Sequence, residues 1–162
     1  MIFRMDSYVE LDGWKLNIRF SSAHMLPEHK KCGRLHGHTY ALHAKVYGEK
    51  DENGVVIDFS RVKSSLEAIA DSLDHRVLIP EKDRAVGIDE LEVAMKQNGK
   101  RYVFPREDCV LLPMKTITAE NLAEYVLGEL LKHIDAPKNM TKIEVSVDEG
   151  FGQGATVAKM LR

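Results

Sequence analysis

Two stretches near the start of the sequence alternate between apolar and polar residues, the pattern of strands with one buried face. The first covers residues 14–24, and its apolar face is expected to carry Trp14, Leu16, Ile18, Phe20 and His24. The second covers residues 36–49, and one face carries His36, His38, Tyr40, Leu42, Ala44 and Val46. The polar residues 25–35 between them contain Pro27 and Gly33 and predict a loop. We therefore expect two strands that pair antiparallel across this loop.

Two helices are predicted from apolar residues at helical spacing. The first covers residues 61–73 after Ser60 as its N-cap, with a buried stripe of Val62, Leu66, Ile69, Ala70 and Leu73. The second begins after Thr118 and ends before Pro137, with a buried stripe of Leu122, Ala123, Val126, Leu130 and Ile134. Each helix has one apolar face, so each is expected to pack on a sheet.

Further strands are predicted on either side of these helices. Asn53-Gly54 predicts a hairpin turn into a third strand over residues 55–59. Residues 142–149 alternate again, and three glycines separate them from a last strand over 155–161. A short strand before residue 14 has only a weak signal.

The segment over residues 81–113 does not continue this regular spacing of apolar residues. Within it, Asn98-Gly99 lies between two strand-like stretches and predicts a second hairpin. A short helix over residues 89–97 is the alternative. We interpret the whole chain, residues 1–162, as one domain that carries 81–113 as an inserted segment.

Composition excludes several functional classes. The 162 residues are 44% hydrophobic and 30% charged, which is typical of a globular domain, and the net charge of −2 gives no support to nucleic-acid binding. No apolar run approaches the roughly 20 residues of a membrane span, and the N-terminus does not resemble a signal peptide. With two cysteines and none of these signals, we expect a cytoplasmic protein without a disulfide.

The histidines on the first two strands predict a metal site. His36 and His38 are two residues apart on one strand, so both side chains point to the same face, and antiparallel pairing can bring His24 to them. Three neutral imidazoles suit zinc, and a fourth position open to water or substrate would make the site catalytic. The alternative is three hydrogen-bonded core histidines. We expect the side chains of His29, His43 and His133 at the surface.

Three further positions carry candidate chemistry. Glu149 ends the apolar face of its strand, where a carboxylate needs a partner such as the paired N–H groups of a guanine or pterin ring. Asp74-His75 could relay a proton, although such a pair at a helix end is more often a cap. Cys32 would be a nucleophile or base if a nearby cation favoured its thiolate, and otherwise a small loop residue.

At these residues the chain resembles the 6-pyruvoyltetrahydropterin synthase and 6-carboxytetrahydropterin synthase family. The matching motifs are collinear and cover most of the chain outside 81–113: FSSAH (20–24), CGRLHGH (32–38), VIDF (56–59), LDH (73–75), TAENLAEY (118–125) and VSVDEG (145–150). The resemblance implies an α+β tunnelling fold, with a four-stranded antiparallel sheet and two helices on one face. It also implies homo-oligomers, trimers or hexamers, whose sheets join into a β-barrel with active sites between subunits.

The resemblance also implies roles for individual residues. His24, His36 and His38 would bind zinc, and Cys32 would be the catalytic base with Asp74 and His75 as relay partners. Glu149 would anchor the pterin ring, with Thr118 and Glu120 near the same pocket. The cofactor is therefore expected to be Zn²⁺ and the partner a small-molecule pterin.

The function implied is that of a lyase acting on the side chain of 7,8-dihydroneopterin triphosphate. The compact Cys-x3-His-Gly-His loop looks more like the 6-carboxytetrahydropterin synthase branch, which feeds 7-deazaguanine (queuosine-type) synthesis. The 6-pyruvoyl branch is one alternative. Glu28, four residues before Cys32, suggests another, because a glutamate in this loop marks members that cleave the side chain by a retro-aldol route, as a dihydroneopterin aldolase does. A catalytically silent zinc- or pterin-binding protein is the alternative of a different class.

Overall fold

The structure, a computed structural model, describes residues 7–27 and 29–162. The helices are α1 (Gly13–Leu16), α2 (Phe59–Leu73) and α3 (Ala119–His133), with a 3₁₀ turn at Arg106–Asp108. The strands are β1 (Ser7–Leu11), β2 (Arg19–His24), β3 (His36–Gly48), β4 (Arg76–Pro80), β5 (Val86–Ile88), β6 (Glu92–Gln97), β7 (Lys100–Pro105), β8 (Cys109–Leu112), β9 (Met140–Glu149) and β10 (Gly154–Met160).

Strand β3 is the centre of a seven-stranded sheet, in which six strands have the order β10-β9-β3-β2-β4-β8 and β1 pairs with β3 outside this order. Its 13 residues pair antiparallel with β9 along one edge. Along the other edge its first half pairs with β2, and its second half pairs with β1. The long alternation over 36–49 therefore predicted the central strand correctly.

The expected four-stranded antiparallel sheet is wrong in strand number and in direction. Strands β4 and β8 extend the sheet by parallel pairing, β4 on β2 and β8 on β4. Their sequences, RVLIP and CVLL, are short apolar runs without alternation. Periodicity cannot distinguish such a run from a piece of buried helix, which is why the sequence did not predict them.

The first predicted strand is shorter than expected. Residues 13–16 form α1, because the Asp12 carboxylate accepts hydrogen bonds from the N–H groups of Trp14 and Lys15. Asn17 ends this turn in the left-handed conformation with φ of 59°. Leu16 is therefore 40% exposed instead of lying on the apolar face of a strand.

The predicted strand over 55–59 does not form. The Asp51 carboxylate accepts hydrogen bonds from the N–H groups of Asn53 and Val55, which closes a local turn in place of a hairpin. Asp58 then caps α2 through the N–H of Ser60, so the helix begins at Phe59 and Ser60 is not its cap. Thr118 caps α3 as predicted, and the strands expected over 142–149 and 155–161 correspond to β9 and β10.

Both long helices pack on one face of the seven-stranded sheet and enclose the main hydrophobic core. Their predicted apolar stripes are buried there together with sheet residues such as Leu42, Val46, Val145 and Val147. No helix in the described part of the chain is long and apolar enough to cross a membrane.

Residues 86–105 form a second, three-stranded sheet, β5-β6-β7. The turn between β6 and β7 has positive φ at both Asn98 (49°) and Gly99 (73°), as a type I′ hairpin requires. The hairpin prediction is confirmed, and the alternative helix over 89–97 does not form.

A hydrogen-bonded network ties α1 to the middle of β3 and the end of β9 on the sheet face opposite the helices. The Gly13 N–H donates to Nδ1 of His43 (3.1 Å), so Nε2 of a neutral His43 carries the hydrogen and donates to Asp148 (3.2 Å). The Trp14 indole N–H donates to the same carboxylate oxygen (2.8 Å). The expectation that His43 is a plain surface residue is wrong, because its ring is largely enclosed and bonded at both nitrogens.

We predict that Asp148→Ala lowers the free energy of unfolding by about 1–3 kcal/mol, because two partly buried donors lose their acceptor. Urea unfolding can be followed by the fluorescence of Trp14, the single tryptophan of the sequence. The matched change Asp71→Ala, at an exposed position of α2, should alter stability by less than about 0.5 kcal/mol. Equal effects of the two variants would contradict the prediction.

Candidate metal and substrate site

Three histidine side chains converge where β2 and β3 pair. His24 lies opposite His36 in the antiparallel register, and His38 follows on the same face of β3. The ring centroids are 4.6 Å apart for His24 and His36, 5.2 Å for His24 and His38, and 5.0 Å for His36 and His38. One ring nitrogen from each residue lies within 4.8 Å of the other two, which is a spacing that a metal ion could bridge.

The second nitrogen of two of these rings is held by a backbone carbonyl. Nδ1 of His24 donates to the Ile117 oxygen (2.8 Å), and Nδ1 of His36 donates to the Arg34 oxygen (2.7 Å). Because a carbonyl can only accept, both Nδ1 atoms carry the hydrogen and both Nε2 atoms present a lone pair. Nε2 of His24 is buried and has no hydrogen-bond partner among residues 7–27 and 29–162. A divalent cation is the kind of group that fits the unpartnered lone pair on Nε2 of His24.

The surroundings of His24 favour its neutral imidazole form. Burial lowers the pKa of His24 to about 4, and the neighbouring rings of His36 and His38 act in the same direction. His24 is fully buried, whereas His36 and His38 are partly exposed. Neutral imidazole is the form that coordinates a metal, so His24 is ready to bind at any pH well above its pKa.

Glu149 lies beside the histidines, at the end of β9. Its two carboxylate oxygens are each 4.0 Å from a histidine Nε2, one from that of His24 and the other from that of His38. Oε1 is buried without a hydrogen-bond partner in the described ranges. The carboxylate that was predicted to need a partner therefore faces the histidine cluster.

Tyr40 is a site residue that sequence reasoning did not single out. It pairs directly with Glu149 in the β3–β9 register, is fully buried, and stacks on Phe20. Burial and the Glu149 carboxylate both raise the pKa of the Tyr40 phenol, so it stays protonated. Its hydroxyl also lacks a hydrogen-bond partner within the described residues. The available signal was its place on the face shared by His36 and His38.

The predicted substrate residues meet at one cavity of about 370 Å³. Its wall is formed by Thr118 and Glu120 at the start of α3, by Glu149, and by Gln153 after the β9–β10 turn. Leu26, two residues after His24, also lines the cavity. The structure thus brings Thr118, Glu120 and Glu149 to one cavity, as the family resemblance implied.

Cys32 lies in the loop that joins β2 to β3. The loop closes on itself, because the Leu26 N–H donates to the Cys32 carbonyl (2.8 Å) and the Gly33 N–H donates to the His29 carbonyl (2.8 Å). The Cys32 N–H donates to Nδ1 of His29 (3.1 Å). The thiol is partly exposed and belongs to a free cysteine. Glu28, in the same loop, lies outside the described residues.

Asp74 and His75 lie at the end of α2, against the outer side of β2. The Asp74 carboxylate accepts the Ser21 N–H (2.7 Å) and pairs with Nδ1 of His75 (2.6 Å). The Ser21 hydrogen bond and the His75 partner lower the pKa of Asp74. Within the described part of this chain, no hydrogen bond or ion pair links Asp74 or His75 to Cys32. His75 instead lines a wider cavity of about 700 Å³, together with His38, Thr39 and Asp108.

Comparison with known proteins gives a consistent assignment. The family model described as 6-pyruvoyl tetrahydropterin synthase matches residues 14–159. A Methanocaldococcus jannaschii protein, provisionally named 6-carboxy-5,6,7,8-tetrahydropterin synthase, is 39% identical over 94% of this chain and 97% of its own length. An Aquifex aeolicus 6-carboxy-5,6,7,8-tetrahydropterin synthase is 29% identical over 82% of this chain and 78% of its own.

Solved structures agree with this assignment. The Plasmodium falciparum 6-pyruvoyl tetrahydropterin synthase superposes with a TM-score of 0.89 at 27% identity, over 98% of this chain and all of the other. A Plasmodium vivax 6-pyruvoyltetrahydropterin synthase variant, in which a catalytic glutamate is replaced by alanine, gives a TM-score of 0.88 at 27% identity over the same coverage. Since the family model spans most of the sequence and the fold agrees, the chain belongs to the 6-pyruvoyl tetrahydropterin synthase family.

Proposed function

We propose that this chain is a zinc-dependent lyase that acts on the side chain of 7,8-dihydroneopterin triphosphate, as a 6-carboxytetrahydropterin synthase. The observation that carries the proposal is the buried, orphaned Nε2 of His24 among His36, His38 and Glu149. The names of the Methanocaldococcus and Aquifex relatives support the carboxy reaction.

Zinc is the metal that this donor set favours. Three protein imidazoles are typical of catalytic zinc, because a further position stays available to water or substrate. Iron or nickel are the alternatives for a three-histidine site. Bound zinc would supply Lewis-acid polarisation of the substrate's side-chain oxygens. The protein's own contribution is to fix the ring tautomers through the carbonyls of Ile117 and Arg34.

The pterin ring is assigned to the cavity between α3 and the β9–β10 turn. Glu149 would accept two parallel N–H donors of the ring, which uses the carboxylate oxygen that lacks a protein partner. Thr118 and Glu120 line the same cavity. The Thr118 hydroxyl already accepts a hydrogen bond from the Asn121 N–H as the cap of α3. Its main role is therefore to hold the start of α3 in place as one wall of the cavity.

Proton transfer is assigned to Cys32 as base, with the Asp74–His75 pair as its relay. Because no hydrogen bond or ion pair joins Cys32 to Asp74 or His75 within the described residues, we infer that the relay comes from a neighbouring subunit. A homo-oligomer, a trimer or two stacked trimers, would supply it. Strands β10 and β8 are the outer strands of the seven-stranded sheet, and their pairing between subunits would close the sheets into the expected barrel.

A retro-aldol cleavage is the second candidate reaction. It is favoured by Glu28, four residues before Cys32, and by the Plasmodium vivax relative whose catalytic residue is a glutamate. Both reactions would use the same ring pocket and metal, and they differ in the aldehyde released.

The decisive experiment is product analysis of the zinc-loaded protein with 7,8-dihydroneopterin triphosphate. We expect acetaldehyde and triphosphate, with kcat falling at least about 100-fold in Cys32→Ala because the base is lost. Ser64→Ala, a side-chain truncation at an exposed position of α2, should keep kcat within about threefold. Glycolaldehyde or its phosphate would identify the retro-aldol reaction. Zinc binding without turnover of any dihydropterin would support a silent binding protein.

The metal assignment predicts that His36→Gln weakens zinc affinity by about 100-fold or more, since one of three ligands is lost. Zinc content after dialysis measures this directly. Zinc should also raise the melting temperature of the wild type, and it should not raise that of the variant. His133→Gln, at the exposed end of α3, is the matched control and should keep its zinc. Full zinc retention in His36→Gln would refute the ligand set.

The low pKa of His24 predicts that the zinc-free protein loses stability as the pH falls from about 6.5 to about 4. In this window the unfolded chain binds a proton at His24 that the folded chain does not. The loss should approach about 3 kcal/mol at the acid end, and His24 should contribute no pH dependence above the window. Urea unfolding across this range measures it, and His24→Gln should flatten the profile. The same slope in both proteins would contradict the prediction.

A further inference from the structure

The three-stranded sheet over residues 86–105, which we call the arm, has its own hydrophobic cluster. The buried members are Met25, Ile79, Val93, Met95 and Cys109, and they are separate from the main core. Three of the five lie outside the arm, and one of these, Met25, directly follows the predicted zinc ligand His24. The arm therefore packs on the first residue of the Cys32 loop.

The tip of the arm touches the same loop at its other end. A Cβ built on Gly33 would lie 2.2 Å from the side-chain Nδ2 of Asn98 and 2.4 Å from the carbonyl oxygen of His29. The Asn98 amide thus occupies the space that any side chain at position 33 would need. Gly33 directly follows Cys32, so the hairpin tip lies against the backbone beside the proposed base.

The loop between these two contacts is closed by its own hydrogen bonds. Leu26 bonds to Cys32, and Gly33 bonds to His29, both through backbone groups at 2.8 Å. A loop that is cross-linked in this way moves as a unit. Contacts at Met25 and Gly33 are then enough to fix where Cys32 stands relative to β2 and β3.

We propose that the arm is a positioning element for the Cys32 loop, and that Asn98 is the residue through which its tip acts. The proposal rests on the proposed function only because it takes Cys32 to be the catalytic base. Asn98 suits the task because asparagine tolerates its φ of 49° and its short amide fills the space over Gly33. The inserted segment thereby gains a role in catalysis without touching the substrate.

Asn98→Gly tests the proposal with little cost to the turn, because glycine accepts the same backbone conformation. We expect hydrogen exchange of the bonded loop amides of Leu26, Cys32 and Gly33 to accelerate about tenfold or more. Alkylation of Cys32 by iodoacetamide, followed by mass spectrometry to separate it from buried Cys109, should accelerate about threefold. In the pterin assay, kcat should fall about tenfold while KM stays within about twofold.

Two comparison variants complete the experiment. Asn98→Asp, made in the wild-type protein, keeps the size of the side chain. Its kcat and loop exchange should therefore stay near the wild-type values. Asn53→Gly makes the same change in the other Asn-Gly turn, at an exposed position between β3 and α2, and should alter none of the three measurements. Wild-type exchange and alkylation in Asn98→Gly would overturn the proposal. Because both measurements need no pterin, they decide it even if the proposed reaction is wrong.

Discussion

The register between β2 and β3 is the constraint on which the rest of the site depends. It places His24 directly opposite His36, and the period of two in β3 then places His38 on the same face. A slip of one residue would turn the whole of β2 over and move His24 to the outer face. Phe20 and Ile18, buried beneath the helices, oppose such a slip, because they would be exposed by it. The hydrophobic core therefore fixes the chemistry of the site through the register.

The sequence predicted the features that depend on periodicity and short-range turn chemistry. The alternation over 36–49, the stripes of α2 and α3 and the Asn98-Gly99 hairpin all correspond to observed elements. It failed where local side chains redirect the backbone, as Asp12 and Asp51 do. It also failed where strands carry no alternation, as in β4 and β8. The histidine cluster was predictable because its members lie on two adjacent strands. The cavity of Thr118, Glu120 and Glu149 was not derivable from spacing, since it joins elements about 30 residues apart.

The two faces of the sheet carry different groups of polar residues. On the helix side, Tyr40 and Glu149 pair across β3 and β9, next to the histidines. On the opposite side, Asp148 receives hydrogen bonds from Trp14 and His43. Asp148 and Glu149 are neighbours in the chain, so the outer network holds the strand end from which Glu149 projects. Side chains that do not line the cavity can thereby influence where the Glu149 carboxylate lies.

Three polar atoms remain without a hydrogen-bond partner in the buried part of the described structure: Nε2 of His24, the Tyr40 hydroxyl and Oε1 of Glu149. Each such atom costs about 1–3 kcal/mol of folding free energy. A core that was optimised for stability alone would pair them or replace them with apolar groups. Their convergence beside three imidazoles is instead what a binding site requires, because the bond that each atom lacks in the protein is available to a metal or a ligand. These unpartnered atoms destabilise the free protein. A metal or ligand that bonds to them removes this cost, and the free energy regained contributes to its affinity.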